Sequence, residues 1–189
     1  MQNEILSLFQ QTGALLRGHF ILRSGLHSRQ FFQCAKLLQH PQIARKICIA
    51  LAEKLRESGV EADFVISPAL GGILVGHEIA AALNLQHIFA EKEDNRLVLR
   101  RFEIKPGTRF IIAEDVVTKG GRLQETLQIV RDNGGIAVAA CSIVDRSGGD
   151  LPDFGCPFIS LLPISVETFT AEQIPSDLKD VPAIKPGSK

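Results

Sequence analysis

No basic run, no long apolar run and no Cys-x-x-Cys pair occurs in these 189 residues. Lysine and arginine together number 21, as do aspartate and glutamate, so the formal net charge is zero. Without a basic stretch, nucleic acid and anionic membrane surfaces are poor partners on bulk electrostatics. No apolar segment reaches the roughly 20 residues of a membrane span, and the N-terminus lacks the basic-then-apolar layout of a secretory signal. A cytoplasmic protein is therefore expected, with no nucleic-acid and no membrane partner. The cysteines Cys34, Cys48, Cys141 and Cys156 are scattered, mostly in apolar stretches, which reads as buried free thiols in a reducing compartment. Repeats and low-complexity tracts are missing too. So are Gly-x-x-x-x-Gly-Lys-Ser/Thr and Gly-x-Gly-x-x-Gly, which disfavours a P-loop or a dinucleotide fold.

What is present starts with a hydrophobic content of 45%, ample for a real core in one domain spanning 1–189. The most informative stretch is Phe110-Ile111-Ile112-Ala113-Glu114-Asp115-Val116-Val117-Thr118-Lys119-Gly120-Gly121-Arg122. Its apolar start reads as a buried strand. Two acids follow, then a small polar turn, then an amphipathic run over 122–132. In an open α/β sheet, ligands sit outside the carboxyl ends of strands, where a loop feeds a helix. The free N–H groups and positive dipole end of that helix suit a phosphate, and Gly120 and Gly121 let the backbone approach it. Carboxylates beside a phosphate would repel it unless they bind something else, such as sugar hydroxyls or a divalent cation. The pattern asks for a ribose 5-phosphate, with diols on the acids and phosphate on the turn.

Along the chain, Asn3 can cap a first helix that Gly13 stops. Residues 19–23 and 30–34 read as two strands split by Ser24-Gly25. Pro41 opens a helix with Ile43, Ile47, Leu51 and Leu55 on one face and Gly59 past its end. Residues 63–67 form a core strand, 73–83 a helix and 87–90 a strand. Polar residues 91–95 break the apolar pattern. Residues 136–144 form a long apolar strand ending in Asp145-Arg146. Alternating strands and helices, with near-continuous apolar strands, predict a parallel sheet covered on both faces. From Leu151 onward the prolines predict a mostly extended or irregular tail. Informative loops follow three strands, at 67–72, 114–122 and 145–149, and all should open on one sheet edge. In the first, Ala69, Leu70, Gly71 and Gly72 offer backbone N–H groups with little side-chain bulk, a nest suited to diphosphate.

The acid-acid-apolar-apolar-Thr-x-Gly-Gly stretch resembles the phosphoribosyl-diphosphate (PRPP) signature of the type I phosphoribosyltransferases, with Lys119 and Arg122 where the family usually has hydroxyl residues. Four further segments narrow the resemblance to the orotate-using branch. Leu22-Arg23-Ser24-Gly25 with Phe31-Phe32 is similar to its base-binding segment, and Ser67-Pro68-Ala69-Leu70-Gly71-Gly72 to its diphosphate loop. Asp145-Arg146 stands at the place of its orotate-carboxylate arginine, and Pro186-Gly187-Ser188-Lys189 resembles its ending. The resemblance implies an α/β type I phosphoribosyltransferase fold. In that fold a central, mostly parallel sheet is flanked by helices, with a small hood over the base site from about 1–36 and 150–189.

It also implies the reaction: transfer of ribose 5-phosphate from PRPP to N1 of orotate, with Mg2+ carried on PRPP near Asp115. PRPP would be held by Glu114, Asp115, Val116, Val117, Thr118, Lys119, Gly120, Gly121 and Arg122. Orotate would meet Arg23, Phe31 or Phe32, Thr118 and Arg146. An aromatic face can stack on the flat ring, and the planar fork of Arg146 binds a carboxylate in a way lysine cannot copy. Asp115 and Lys92 are the expected catalytic residues. Lys92 stands in the stretch 91–101 that corresponds to the family's mobile cationic loop, though that stretch has no histidine and carries Glu91 where an arginine is usual. Arg100 and Arg101 are the alternative candidates for that role. The family implies a homodimer with shared active sites. A phosphoribosyltransferase for another base and a PRPP-sensing regulator are the competing readings. The second would need a nucleic-acid surface that a neutral chain of this length does not offer.

Overall fold

The computed structural model describes residues 2–22 and 24–186; Met1, Arg23 and residues 187–189 lie outside them. In chain order the elements begin with α1 (Gln2–Gln11), β1 (Leu15–Ile21), β2 (His27–Phe32), α2 (Cys34–Leu38) and α3 (Pro41–Glu57). Then come β3 (Phe64–Pro68), α4 (Gly71–Leu83), β4 (Gln86–Glu93), β5 (Arg96–Val98), β6 (Arg109–Val117) and α5 (Gly121–Asp132). The chain continues through β7 (Ile136–Asp145), β8 (Phe158–Pro163), β9 (Thr168–Phe169) and α6 (Ser176–Lys179). By contacts the chain divides into two units, Pro41–Ile164 and Met1–His40 with Ser165–Lys189.

In the larger unit the described strands run β5-β4-β3-β6-β7-β8. Every neighbouring pair is parallel except β4–β5, which is antiparallel. Strand β3 connects through α4 to β4 on one side, while β6 connects through α5 to β7 on the other. Right-handed crossovers running in opposite directions put the two helices on opposite faces of the sheet. Alternation along the strands supplies both: Ile66, Phe110 and Ile112 pack with Leu123, Leu127 and Val130 of α5 in one apolar cluster. Helix α3 buries Ala44, Ile47, Cys48, Leu51, Ala52 and Leu55 at three- and four-residue spacing, and Gly59, at φ +74°, follows its end. Strand order reverses between β3 and β6, so the crevice outside their carboxyl ends is the topological switch point.

Two segments differ from the sequence expectation. Residues 151–164 are not irregular throughout: β8 joins the sheet beside β7, pairing Ala140 with Phe158 through Asp145 with Pro163. Its prolines stand at or beyond the strand ends, where no ladder donor is needed. Polar residues 91–95 are not a loop between core strands either. Strand β4 runs on to Glu93, turns at Asp94 and Asn95 (φ 44° and 66°) and returns as β5, pairing Lys92 with Leu97. Two positive-φ turn residues with Asn among them are what a tight hairpin requires. Leu97 is buried, and its N–H donates to Glu125 Oε1 at 2.5 Å, tying the hairpin to α5.

The smaller unit is a sheet of order β1-β2-β9 among the described residues, with α1 packed on β1. Phe9 and Phe32 meet edge to face at 5.3 Å between ring centroids. Arg29 fastens the C-terminal segment, donating to both carboxylate oxygens of Asp177 at 2.8 and 2.9 Å and lying 4.9 Å above the Phe169 ring. No described helix is long and apolar enough to cross a membrane.

Candidate active site

The acidic pair stands inside β6, not after it. Successive strand residues face opposite ways, so Glu114 and Asp115 divide between the two faces. Glu114 is 7% exposed, whereas Asp115 is half-buried. Glu114 Oε1 accepts the Asp115 N–H at 3.0 Å, and Asp115 Oδ1 accepts the Val116 N–H at 2.8 Å. Burial pushes the Glu114 carboxyl well above the usual range, and the neighbouring Asp115 charge adds to the rise against the pull of Arg122.

The diphosphate-type loop closes on the same place. Ala69–Leu70 is a cis peptide, and the Ala69 N–H donates to Ala90 O at 2.8 Å. A Cβ on Gly71 would lie 2.8 Å from Asp115 Oδ2 and 2.9 Å from Oδ1. The start of α4 therefore rests directly on the Asp115 carboxylate, and only a residue without a side chain permits that approach. Leu70, at 84% exposure, stands at the outer tip of this loop.

Helix α5 opens on Gly120, at φ 74°, with no side-chain cap. A Cβ there would meet Phe154 Cζ at 2.8 Å, while one on Gly121 would meet nothing within 4 Å. Gly120 thus makes the turn, and Gly121 leaves the helix start open to an anion. Thr118 and Lys119 are exposed beside it. Arg122 Nη1 is buried with no hydrogen-bond partner, an orphan donor that an incoming oxyanion would satisfy. Gly120→Ala is expected to destabilise the fold by at least about 1–2 kcal/mol, the cost of a left-handed alanine, because its methyl must also displace Phe154. The melting temperature reads the change, and Gly121→Ala, in open space, serves as the mild control.

At the third strand end, Arg146 N–H donates to Val117 O at 2.8 Å, setting Arg146 across from the residue before Thr118. Asp145 Oδ1 accepts the Ser147 N–H at 2.8 Å, and Gly148 and Gly149 continue the turn at φ 67° and 91°. The larger unit thus brings 69–72, 114–122 and 145–149 to one sheet edge. Lys92 stands elsewhere, exposed on the β4–β5 hairpin and without an ion pair among the described residues. Its neighbours are engaged: Arg101 Nε pairs with Glu91 Oε2 at 2.8 Å and Arg100 Nη1 with Glu93 Oε1 at 3.4 Å. In the smaller unit Phe32 is 2% exposed and committed to the core, a correction to its reading as a base contact; Phe31 keeps the half-buried position. Ser67, read from sequence only as the opening of the diphosphate-type loop, has its Oγ 2.8 Å from Nε2 of His87, which sequence reasoning placed only in a strand.

Comparison with known proteins agrees with this geometry. The phosphoribosyl transferase domain family matches residues 33–172. An orotate phosphoribosyltransferase of Carboxydothermus hydrogenoformans is 48% identical over 187 residues, covering 98% of this chain and 97% of that protein. One of Erythrobacter litoralis is 44% identical over 188 residues, again covering 98% and 97%. Among solved structures, orotate phosphoribosyltransferase from Aeropyrum pernix has a TM-score of 0.69 at 23% identity, over 84% of this chain and 93% of that one. Adenine phosphoribosyltransferase from Thermoanaerobacter pseudethanolicus has a TM-score of 0.64 at 19% identity, over 71% and 88%. These structural likenesses speak for the fold alone, which enzymes of different base specificity share. The family domain covers most of the chain and the sequence likeness runs nearly end to end, so this chain belongs to the phosphoribosyl transferase family, in its orotate phosphoribosyltransferase branch.

Proposed function

We propose that this protein transfers ribose 5-phosphate from PRPP to N1 of orotate, giving orotidine 5'-monophosphate and diphosphate in pyrimidine nucleotide synthesis. The observation that carries this is 48% identity across 98% of the chain to an orotate phosphoribosyltransferase, laid over a switch-point site with two glycine-opened helix starts. The α5 start, with Thr118, Lys119, Gly120, Gly121 and Arg122, would cradle the 5-phosphate. The α4 start, with Ala69 to Gly72, would take the diphosphate. Asp115, with Glu114 behind it, would hold the ribose hydroxyls between them, and Thr118 would donate to the base.

Bond breaking at the anomeric carbon builds positive charge on the sugar and negative charge on the leaving diphosphate, with no covalent enzyme intermediate required. Magnesium fits the donor chemistry here. Carboxylate oxygen is a hard ligand, and Mg2+ is commonly held through one or two carboxylates plus substrate phosphate oxygens. Asp115 would hold it, and when bound it would neutralise charge on the diphosphate. The N–H groups at the α4 start would stabilise the same charge, already oriented before reaction.

The test is incubation with PRPP, Mg2+ and individual bases. Loss of orotate absorbance without consumption of adenine, hypoxanthine or uracil is expected. Consumption of another base instead would replace orotate in the reading, and no consumption of any base would favour a PRPP-sensing role. Within this reading Arg146→Lys should weaken orotate binding by about 1.5–3 kcal/mol while leaving PRPP binding nearly unchanged, since it keeps the charge and loses the fork. Equal loss for both substrates would make Arg146 structural.

A homodimer with shared sites is part of the proposal. Leu70 and Leu74, 84% and 52% exposed, leave apolar surface at the start of α4 that a second copy would cover.

A further inference from the structure

Ser67 is a fully buried hydroxyl directly ahead of the first loop, and His87 stands beside it on the neighbouring strand. Their Oγ and Nε2 are 2.8 Å apart. The imidazole is neutral at physiological pH, because burial, with the nearby His77 assisting, lowers its pKa to about 4. Helix α4 lies on this pair. A Cβ on Gly76 would come within 2.5 Å of His87 Nε2 and 2.9 Å of Ser67 Oγ. One on Gly72 would come within 3.1 Å of Ser67 Cβ and 3.0 Å of Ala113 O. Gly72 and Gly76 are one turn apart on one helix face, so that face is seated on Ser67. The next residue back, Gly71, rests on Asp115.

We infer that the Ser67–His87 pair is a positioning device for the diphosphate subsite, setting how the N-terminus of α4 stands above the sheet. Neither side chain needs to touch substrate. A gap or a bulge under Gly72 and Gly76 would tilt the helix start, and displacements of this kind near a reacting centre cost rate and affinity out of proportion to their size. Proline at 68 and the glycines at 71 and 72 leave the loop few side-chain contacts of its own. The seat beneath it therefore carries the burden of orientation. The inference rests on the proposed use of the α4 start for diphosphate.

The test uses the full chain with inorganic diphosphate, read by titration calorimetry without orotate, alongside steady-state KM values for PRPP and orotate. Ser67→Ala and His87→Phe each remove the hydrogen bond. Each is expected to weaken diphosphate binding and raise the PRPP KM about fivefold, the scale of one lost hydrogen bond, with the orotate KM unchanged. His87→Gln, which returns an amide group near the Nε2 position, should recover most of the loss. His87→Gln and His87→Phe are compared at a half-buried site, so the inference stays falsifiable if Ser67→Ala does not fold. Unchanged diphosphate affinity with only a lower melting temperature would overturn it, as would equal loss for both substrates or no recovery in His87→Gln. Because diphosphate is read directly, a wild-type protein that binds it but ignores orotate would sink the proposed reaction and leave this inference standing.

Discussion

Asp115→Asn is expected to lower turnover by on the order of a hundredfold or more while the protein remains folded. The substitution is nearly isosteric, and an asparagine oxygen can still accept the Val116 N–H that Asp115 Oδ1 receives at 2.8 Å. What it removes is charge from the carboxylate that lies against Gly71 at the α4 start and directly follows buried Glu114. On the proposed reading the ribose diol would lose a charge-assisted partner and a substrate-borne cation its protein ligand. A second consequence is internal. Glu114 is held high partly by the Asp115 charge, so its carboxyl should titrate lower in the variant. Steady-state kinetics read the first effect, and the circular dichroism spectrum and melting temperature confirm the fold. Wild-type kcat and PRPP affinity in Asp115→Asn would remove the residue from the chemistry.

That Asp115 could be singled out from sequence shows where the chain is easy to read. Strands β3, β6 and β7 are apolar because both faces are covered, and helices α3, α4 and α5 carry apolar residues at helical spacing, so periodicity finds them. The loops between them announce themselves by glycine and by acids where a buried strand should end. Strand β8 escaped because Pro157 and Pro163 bracket Phe158-Ile159-Ser160-Leu161-Leu162, and proline reads locally as irregular. Its place is decided by the unpaired edge of β7, which no local pattern records. The β4–β5 hairpin escaped for the opposite reason: apart from buried Leu97 its residues over 91–98 are half-buried or exposed, so they are mostly polar. Asp94-Asn95 was the available turn signal. Phe31 and Phe32 could be assigned opposite faces by alternation, but which face is core depends on where Phe9 lands. The seat made by Ser67, His87 and Gly76 joins three elements, and no spacing in one dimension reveals it.

Lys92→Ala and Asp115→Asn, each inactive alone, are expected to recover about a quarter of wild-type activity when unfolded together, mixed and refolded. Lys92 lies on a hairpin tied to α5 through Leu97, its cross-strand partner, and Glu125, while its own side chain is exposed and without an ion pair among the described residues. Arg100 and Arg101 are held by Glu93 and Glu91, whereas Lys92, like Arg96, has no ion pair among the described residues and can serve a site on a second copy. In a two-fold dimer each hairpin crosses once, so both sites are completed by partners. Random pairing makes about half the dimers hybrids, and each hybrid has one site with both lesions and one with neither, which yields about a quarter of the original sites. Native mass spectrometry of subunits with different tags establishes that hybrids formed. Hybrids without activity would place Lys92 in the service of its own subunit. A fully active Lys92→Ala would move the role to Arg100 or Arg101, which would then have to leave their carboxylates to act.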